Sequence, residues 1–260
     1  CGWASGMESL GDLFARTQDI DLAAEWSIGI RAFDLRPCVY ESHMNINHGI
    51  MPTQMHFEDA LALLRDSLHE HPSEFVVIHL LHETDGDQVE NAYNSRLLEL
   101  LGRDDLKDLF VDFKTNLIVG DLRGRILLLS RDNYATSPVG GFFLNWTGEA
   151  NWSRQTQGRI RGRSTNGRLY MQDFADTHNA GGLDTKVSSI CQLLDFSTTH
   201  EVKQTSTITW VFNFASAYSL TQNLFGNEVS LSDGYRDNAA YTHAAILDYL
   251  ATHAPGPTGI

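Results

Sequence analysis

Positive charge is the scarcest feature of this chain. It carries 19 Lys and Arg against 33 Asp and Glu, for a formal net charge of −14 over 260 residues. A broad footprint on duplex nucleic acid needs the opposite balance and is excluded as a reading. Adsorption to anionic membranes by charge alone is disfavoured for the same reason. No apolar run approaches the ~20 residues of a membrane-spanning helix. Cysteine is sparse too: Cys1, Cys38 and Cys191 leave at least one thiol unpaired, and their spacing fits no zinc pattern. What remains is an ordinary globular composition with 42% hydrophobic residues. The length suits one large domain, residues 1–260, with a full core.

The most informative stretch is 28–49. Ile28–Arg36 reads as a strand that is apolar at its start and ionic at its end. Side chains alternate faces along a strand, so Ile30, Ala32, Asp34 and Arg36 share one side. Met44, Ile46 and His48 repeat the pattern on a second strand that stops at Gly49. This places an acid, an arginine and a histidine at the same ends of two neighbouring strands. In parallel α/β sheets and barrels those ends carry the chemistry. Taken singly, Asp34 with Arg36 reads as a structural ion pair and His48 as a satisfied strand-end histidine. Their coincidence favours a site.

Elsewhere the pattern alternates strand and helix. Met7–Thr17 and Asp19–Ser27 read as short helices. Phe57–Glu70 is amphipathic, with Phe57, Ala60, Leu61, Leu64 and Leu68 on one face, Thr53 as a plausible cap and His71-Pro72-Ser73 as the stop. Strands are expected at Phe75–Leu81, Arg125–Leu129, Arg168–Gln172 and Thr207–Phe212, and helices at Val89–Leu101, Asp184–Leu194 and Tyr235–His253. Thr258-Gly259-Ile260 looks like the start of another strand. Six strands with polar ends, joined by helices, imply a parallel sheet, and polar groups spread over many strand ends favour a barrel. Residues 132–167 break the rhythm. Tyr134, Phe142, Phe143, Trp146 and Trp152 mix there with Arg154, Arg159, Arg161 and Arg163. Two readings stand equal: an irregular excursion with its aromatics tucked in, or a rim that meets an amphipathic substrate or an interface. Asn145-Trp-Thr147 and Asn151-Trp-Ser153 match glycosylation sequons, a weak signal.

Several stretches, in order over essentially the whole chain, carry a family resemblance. They are Gly29-Ile-Arg-Ala-Phe-Asp-Leu-Arg36, Asn47-His-Gly49, Phe57-Glu-Asp59, Pro72-Ser-Glu-Phe75 with Glu83, Gly124-Arg-Ile-Leu-Leu-Leu-Ser-Arg131, Gln172-Asp173 and Thr258-Gly-Ile260. The chain resembles the X-domain barrel of phosphatidylinositol-specific phospholipase C in its small bacterial form. The resemblance implies an α/β fold, a distorted TIM-type (β/α) barrel. It implies a lyase that releases diacylglycerol and inositol 1,2-cyclic phosphate from phosphatidylinositol-type lipids.

By position, the resemblance makes His48 the general acid for the leaving glycerol oxygen, Arg36 the cation on the phosphorus centre and Asp34 its acidic support. Arg131 and Asp173 fall where inositol hydroxyls are held, and Glu83 at an acidic strand end. The chemistry of these groups suits phosphoryl transfer, which needs an acid, a base and charge on the equatorial oxygens. Metal-independent members place an arginine where others hold calcium, so Arg36 implies no metal and no cofactor. The expected partner is phosphatidylinositol or a related phospholipid at a membrane interface. The chain is expected to be a monomer, secreted or at the cell surface.

Three departures qualify this. The family's first catalytic histidine would precede Cys1, and His43, His71 and His79 have the wrong context for it. The aspartate of the family's last strand would follow Ile260. A basic residue near Leu81 and an aromatic one near Ala175 are missing. The expectation is a chain trimmed at both ends, lacking the barrel's first and last strands. It should leave a gap between the Thr207 and Ile28 strands and fold poorly. Two alternatives are a catalytically silent barrel that binds a phosphorylated polyol or lipid head group, and a glycerophosphodiester phosphodiesterase with metal-binding carboxylates, against which Arg36 counts.

Overall fold

The computed structural model describes residues 18–146, 157–177, 182–199, 209–218, 221–223, 227–229 and 232–260. The helix expected at Met7–Thr17, Trp152, Arg154, Thr147 of the first sequon and the whole of the second lie outside them. The chain divides into two units, Cys1–Leu144 with Ile160–Asn166 and Asn145–Arg159 with Gly167–Ile260.

The first unit begins with α1 (Leu22–Ser27), capped by the Asp21 carboxylate, which accepts from Ala24 N at 2.8 Å. The Ile28 N–H still serves this helix by donating to Ala24 O, and Gly29 then turns the chain at φ +101°. Strand β1 (Ala32–Leu35) therefore starts later than the apolar run suggested. A three-stranded antiparallel sheet follows: β2 (Pro37–Val39), β3 (Met44–His48) and β4 (Met51–His56). Helix α2 (Phe57–Glu70) has the expected bounds, and buries Phe57, Ala60, Leu61, Leu64 and Leu68. Thr53 is not its cap. It lies within β4 and donates to Ile46 O at 2.7 Å, while the cap position is His56.

Strands β5 (Val76–Leu80) and β6 (Ile126–Ser130) are buried along their whole length, as their apolar runs require. With β7 (Gly141–Leu144) they form a parallel array in the order β1-β5-β6-β7. Between β5 and β6 lie α3 (Tyr93–Leu101) and the single turn α4 (Val119–Leu122). Helix α3 starts after the expected Val89 because Asn91 adopts a left-handed φ of +58°. One core cluster joins Leu35, Ile78, Leu128 and Phe142 of the strands to Leu61 and Leu64 of α2 and Leu97 of α3. Gly140 is required just before β7: its φ is +75° and a Cβ there would lie 1.9 Å from Leu128 O.

Strand β7 sits inside the stretch whose sequence read as irregular. Tyr134, Phe142 and Phe143 are buried, and the Tyr134 hydroxyl donates to Val139 O at 2.7 Å. Arg161 caps the Phe142 ring face at 5.0 Å and donates to Asn133, and Arg163 pairs with Asp112 at 3.0 Å. For these residues the tucked-in reading holds. Strand β8 (Gln157–Arg161) also falls in this stretch.

In the second unit β9 (Asn166–Gln172) pairs in parallel with β10 (Thr209–Asn213). Ile260 donates to Val211 O and accepts from Asn213 N, the ladder expected of a strand starting at Thr258. Helix α5 (Gly182–Thr198) meets α6 (Ser232–Thr252) through the Tyr249 hydroxyl, which donates to Asp195 at 2.6 Å. Strands β11 (Thr221–Asn223) and β12 (Asn227–Val229) form an antiparallel pair.

The end of β9 is organised by Lys186 of α5. Its ammonium is fully buried and donates to Gln172 Oε1 at 2.9 Å and Phe174 O at 2.6 Å. Burial pulls its pKa down to about 7, against the opposing charge of Asp173. The unfolded lysine, at about 10.4, binds more protons than the native one across this window. Native stability therefore rises from about pH 7 towards pH 10 through this group. Urea unfolding at pH 7 and pH 9 is expected to show a gain of about 2 kcal/mol in the wild type that Lys186→Met lacks. Identical pH slopes in the two proteins would contradict this.

Candidate active site

The centre of the first unit's strand ends is an ion pair between a residue of one strand and the residue just past its end. Along β1, Phe33 and Leu35 are buried, whereas Ala32 and Asp34 face the other side. Arg36 follows at the strand's end and folds back on Asp34, with Nε donating to Oδ1 at 3.1 Å and Nη2 to Oδ2 at 3.3 Å. Its Nη1 lies 3.9 Å from Glu83 Oε2, so a second carboxylate flanks the guanidinium. The Arg36 side chain keeps 39% of its surface exposed and is reachable from solvent.

His48 does not sit on a parallel neighbour of β1, as the repeated pattern suggested. The chain turns back after Arg36, and β3 pairs antiparallel with β2, Pro37 opposite Ile46. Asn47 N then donates to Arg36 O at 3.0 Å, which sets half-buried His48 one residue beyond Arg36's backbone partner. A buried amide platform fixes this hairpin. Asn45 Nδ2 donates to Asn47 Oδ1 at 2.9 Å, and Gly86 packs so closely that a Cβ there would meet Asn47 Nδ2 at 2.5 Å.

Glu83 is placed by its own N–H, which donates to Pro37 O at 3.0 Å. Arg131, one residue past β6, donates its N–H to Leu80 O at 2.9 Å, at the same end of the parallel array. Thus Asp34, Arg36 and Glu83 share direct contacts, His48 is tied in through backbone, and Arg131 belongs to the adjacent strand end. Asp173 is in the second unit, just past β9, where its Oδ2 accepts from Trp146 Nε1 at 2.9 Å.

The structure adds two histidines, His79, which the sequence reading weighed and set aside, and His82, to which it gave no role. His79 lies in β5 opposite Asp34, with Nδ1 3.2 Å from Asp34 Oδ2 and its ring edge-on to Phe143. His82, just past β5, meets Asp87 Oδ2 through Nε2 at 2.8 Å and stacks on Tyr93 at 3.6 Å. Its backbone N–H donates to Asp132. The only advance signal for His79 was a titratable residue inside an apolar run, and its partner depends on strand register. The His82–Asp87 pair spans a 3₁₀ turn at Thr84–Gly86 that carries no periodic signature.

The charges are mutually tuned. Burial works against the Asp34 carboxylate, but His79 and then Arg36 outweigh it and hold the carboxyl well below the usual range. Burial pushes the Asp132 carboxyl up. Burial, with Asp87 and Glu83 adding to it, pushes the Cys38 thiol up to about 12. Among the described residues, no group of three or more His, Cys, Asp or Glu is placed to hold a metal ion.

No family model matches the chain and no curated protein does. Solved structures do. A pentafluoro-phenylalanine form of phosphatidylinositol-specific phospholipase C from Staphylococcus aureus matches with TM-score 0.76 and 18% identity, over 99% of this chain and 82% of that one. The enzyme of the same name from Listeria monocytogenes matches with TM-score 0.65 and 20% identity, over 96% and 77%. The likeness shows the fold, a distorted (β/α) barrel of TIM type.

The depressed Asp34 carboxyl fixes a sign. Its contribution to stability is full above the unfolded carboxylate value of about 3.9 and is lost as the pH falls below it. Between about pH 4 and pH 2 the wild type should lose roughly 1 kcal/mol more than Asp34→Asn. Chemical denaturation across that range checks it, and parallel losses would refute it.

Proposed function

We propose that this chain is the barrel of a phosphodiester-cleaving lyase acting on phosphatidylinositol-type lipids. The observation that carries the reading is the Asp34–Arg36 fork at the end of β1, with His48 tied beside it by the Asn47–Arg36 backbone bond. The fold supports it, being that of the two bacterial structures above.

A guanidinium stays charged at any working pH and presents a planar array of donors to phosphate oxygens. Arg36 stabilises the charge that grows on the equatorial oxygens as the inositol 2-hydroxyl oxygen attacks phosphorus in line. The 2-hydroxyl proton leaves to a base not assigned among the described residues. The bond from phosphorus to the glycerol oxygen breaks, and His48 gives that oxygen its proton. Diacylglycerol departs and inositol 1,2-cyclic phosphate remains. Asp34 holds Arg36 in place, Arg131 takes inositol hydroxyls, and Glu83 is a further substrate-binding residue of the same unit. In this reading Arg36 replaces a metal, and the protein works as a secreted or cell-surface monomer at a membrane interface. No helix among the described residues is long and apolar enough to cross a membrane.

Phosphatidylinositol vesicles with excess EDTA, followed by phosphorus NMR, test the reading. The wild type is expected to release the cyclic phosphate, and His48→Ala to do so about 10²–10⁴-fold more slowly. Absence of turnover by the wild type, with or without added calcium, would contradict the function. Turnover that requires calcium would contradict the metal-free mechanism.

A further inference from the structure

We propose that His79 is a positioning residue that aims Arg36 through Asp34; the assignment rests on the lyase reading above. Asp34 and His79 are partners in register on the adjacent parallel strands β1 and β5, so their side chains leave the sheet on the same face. Nδ1 of His79 lies 3.2 Å from Asp34 Oδ2. Arg36 approaches the same carboxylate from the other side, reaching Oδ1 and Oδ2. The carboxylate thus has two basic neighbours, a buried imidazole at 3.2 Å from a neighbouring strand and the guanidinium that donates to it.

The two neighbours differ in rigidity. The His79 side chain is only 7% exposed, whereas Arg36 is 39% exposed on a long, flexible stem. A buried imidazole is costly without polar partners, so its place in the all-buried strand β5 calls for a reason beyond packing. The groups around it are consistent with an anchor. From β1 it faces Asp34; from just past β6 the Asp132 charge acts on it; from β7 the uncharged Phe143 ring meets it edge-on at 5.6 Å. Supports of this kind, one step removed from the reacting atoms, typically matter by one to two orders of magnitude.

His79→Asn and His79→Phe separate a positioning role from packing. The Asn side chain keeps an N–H donor near the place of Nδ1, whereas Phe keeps the aromatic volume. Both are compared with the wild type on phosphatidylinositol vesicles, with melting curves taken alongside. His79→Phe is expected to lose roughly 10–100-fold in kcat with KM little changed, and His79→Asn to recover most of it. In His79→Phe the acidic limb of kcat/KM should move to higher pH, because Asp34 loses the partner that holds its carboxyl down. Carbon NMR titration of the Asp34 carboxyl reads the same coupling without activity, so it tests His79 even if the wild type fails to cleave the lipid. His79→Leu replaces His79→Phe if the latter does not fold. An unmoved Asp34 titration overturns the proposal, as do equal kcat values in all proteins. Equal large losses in both variants overturn it too, since the imidazole itself would then be needed.

Discussion

A guanidinium and a carboxylate two residues apart at a strand's end attract each other, but a short strand alone cannot hold them still. The Asp34–Arg36 pair keeps its geometry because the surroundings over-determine it. Phe33 and Leu35 lock the strand's other face into the core. Glu83 flanks the guanidinium, and the Arg36 carbonyl is taken by the hairpin that carries His48. The surrounding construction of the first unit sets these few atoms at the ends of a parallel array, where side chains meet solvent and scaffold backbone stays fixed.

Much of the fold was legible because burial writes a period into sequence. The Phe57–Glu70 helix has the expected ends and the expected buried face, since five apolar residues at helical spacing leave little freedom. The continuous apolar runs of β5 and β6 were equally plain. Thr53 shows the limit. A threonine a few residues ahead of a helix satisfies a capping rule, yet its hydroxyl was drawn into the β3–β4 hairpin by the Ile46 carbonyl. Short strands such as β7 and β12, of four and three residues, are too brief to carry a period.

The site was legible in its members more than in its wiring. Asp34 and Arg36 stood out because polar residues ended an apolar strand, and the structure joins them. His48 comes one residue from Arg36's backbone partner by a route the sequence pattern did not suggest: an antiparallel return, not a parallel companion, brings it there. The place of His79 beside Asp34 was invisible because it comes from register. Val76–Leu80 reads as core, and only the pairing of β1 with β5 sets its histidine against Asp34. Sequence spacing does not encode contacts made across strands 45 residues apart.

In the proposed reaction Arg36 meets phosphate with a fork of donors rather than as a mere positive charge. Arg36→Lys keeps the charge and removes the fork. The decisive measurement is the rate of cyclic phosphate release from phosphatidylinositol by this variant, with its unfolding midpoint measured beside it. A loss of about 10²-fold or more in kcat is expected, with the fold retained. A folded Arg36→Lys protein that cleaves at the wild-type rate would contradict it.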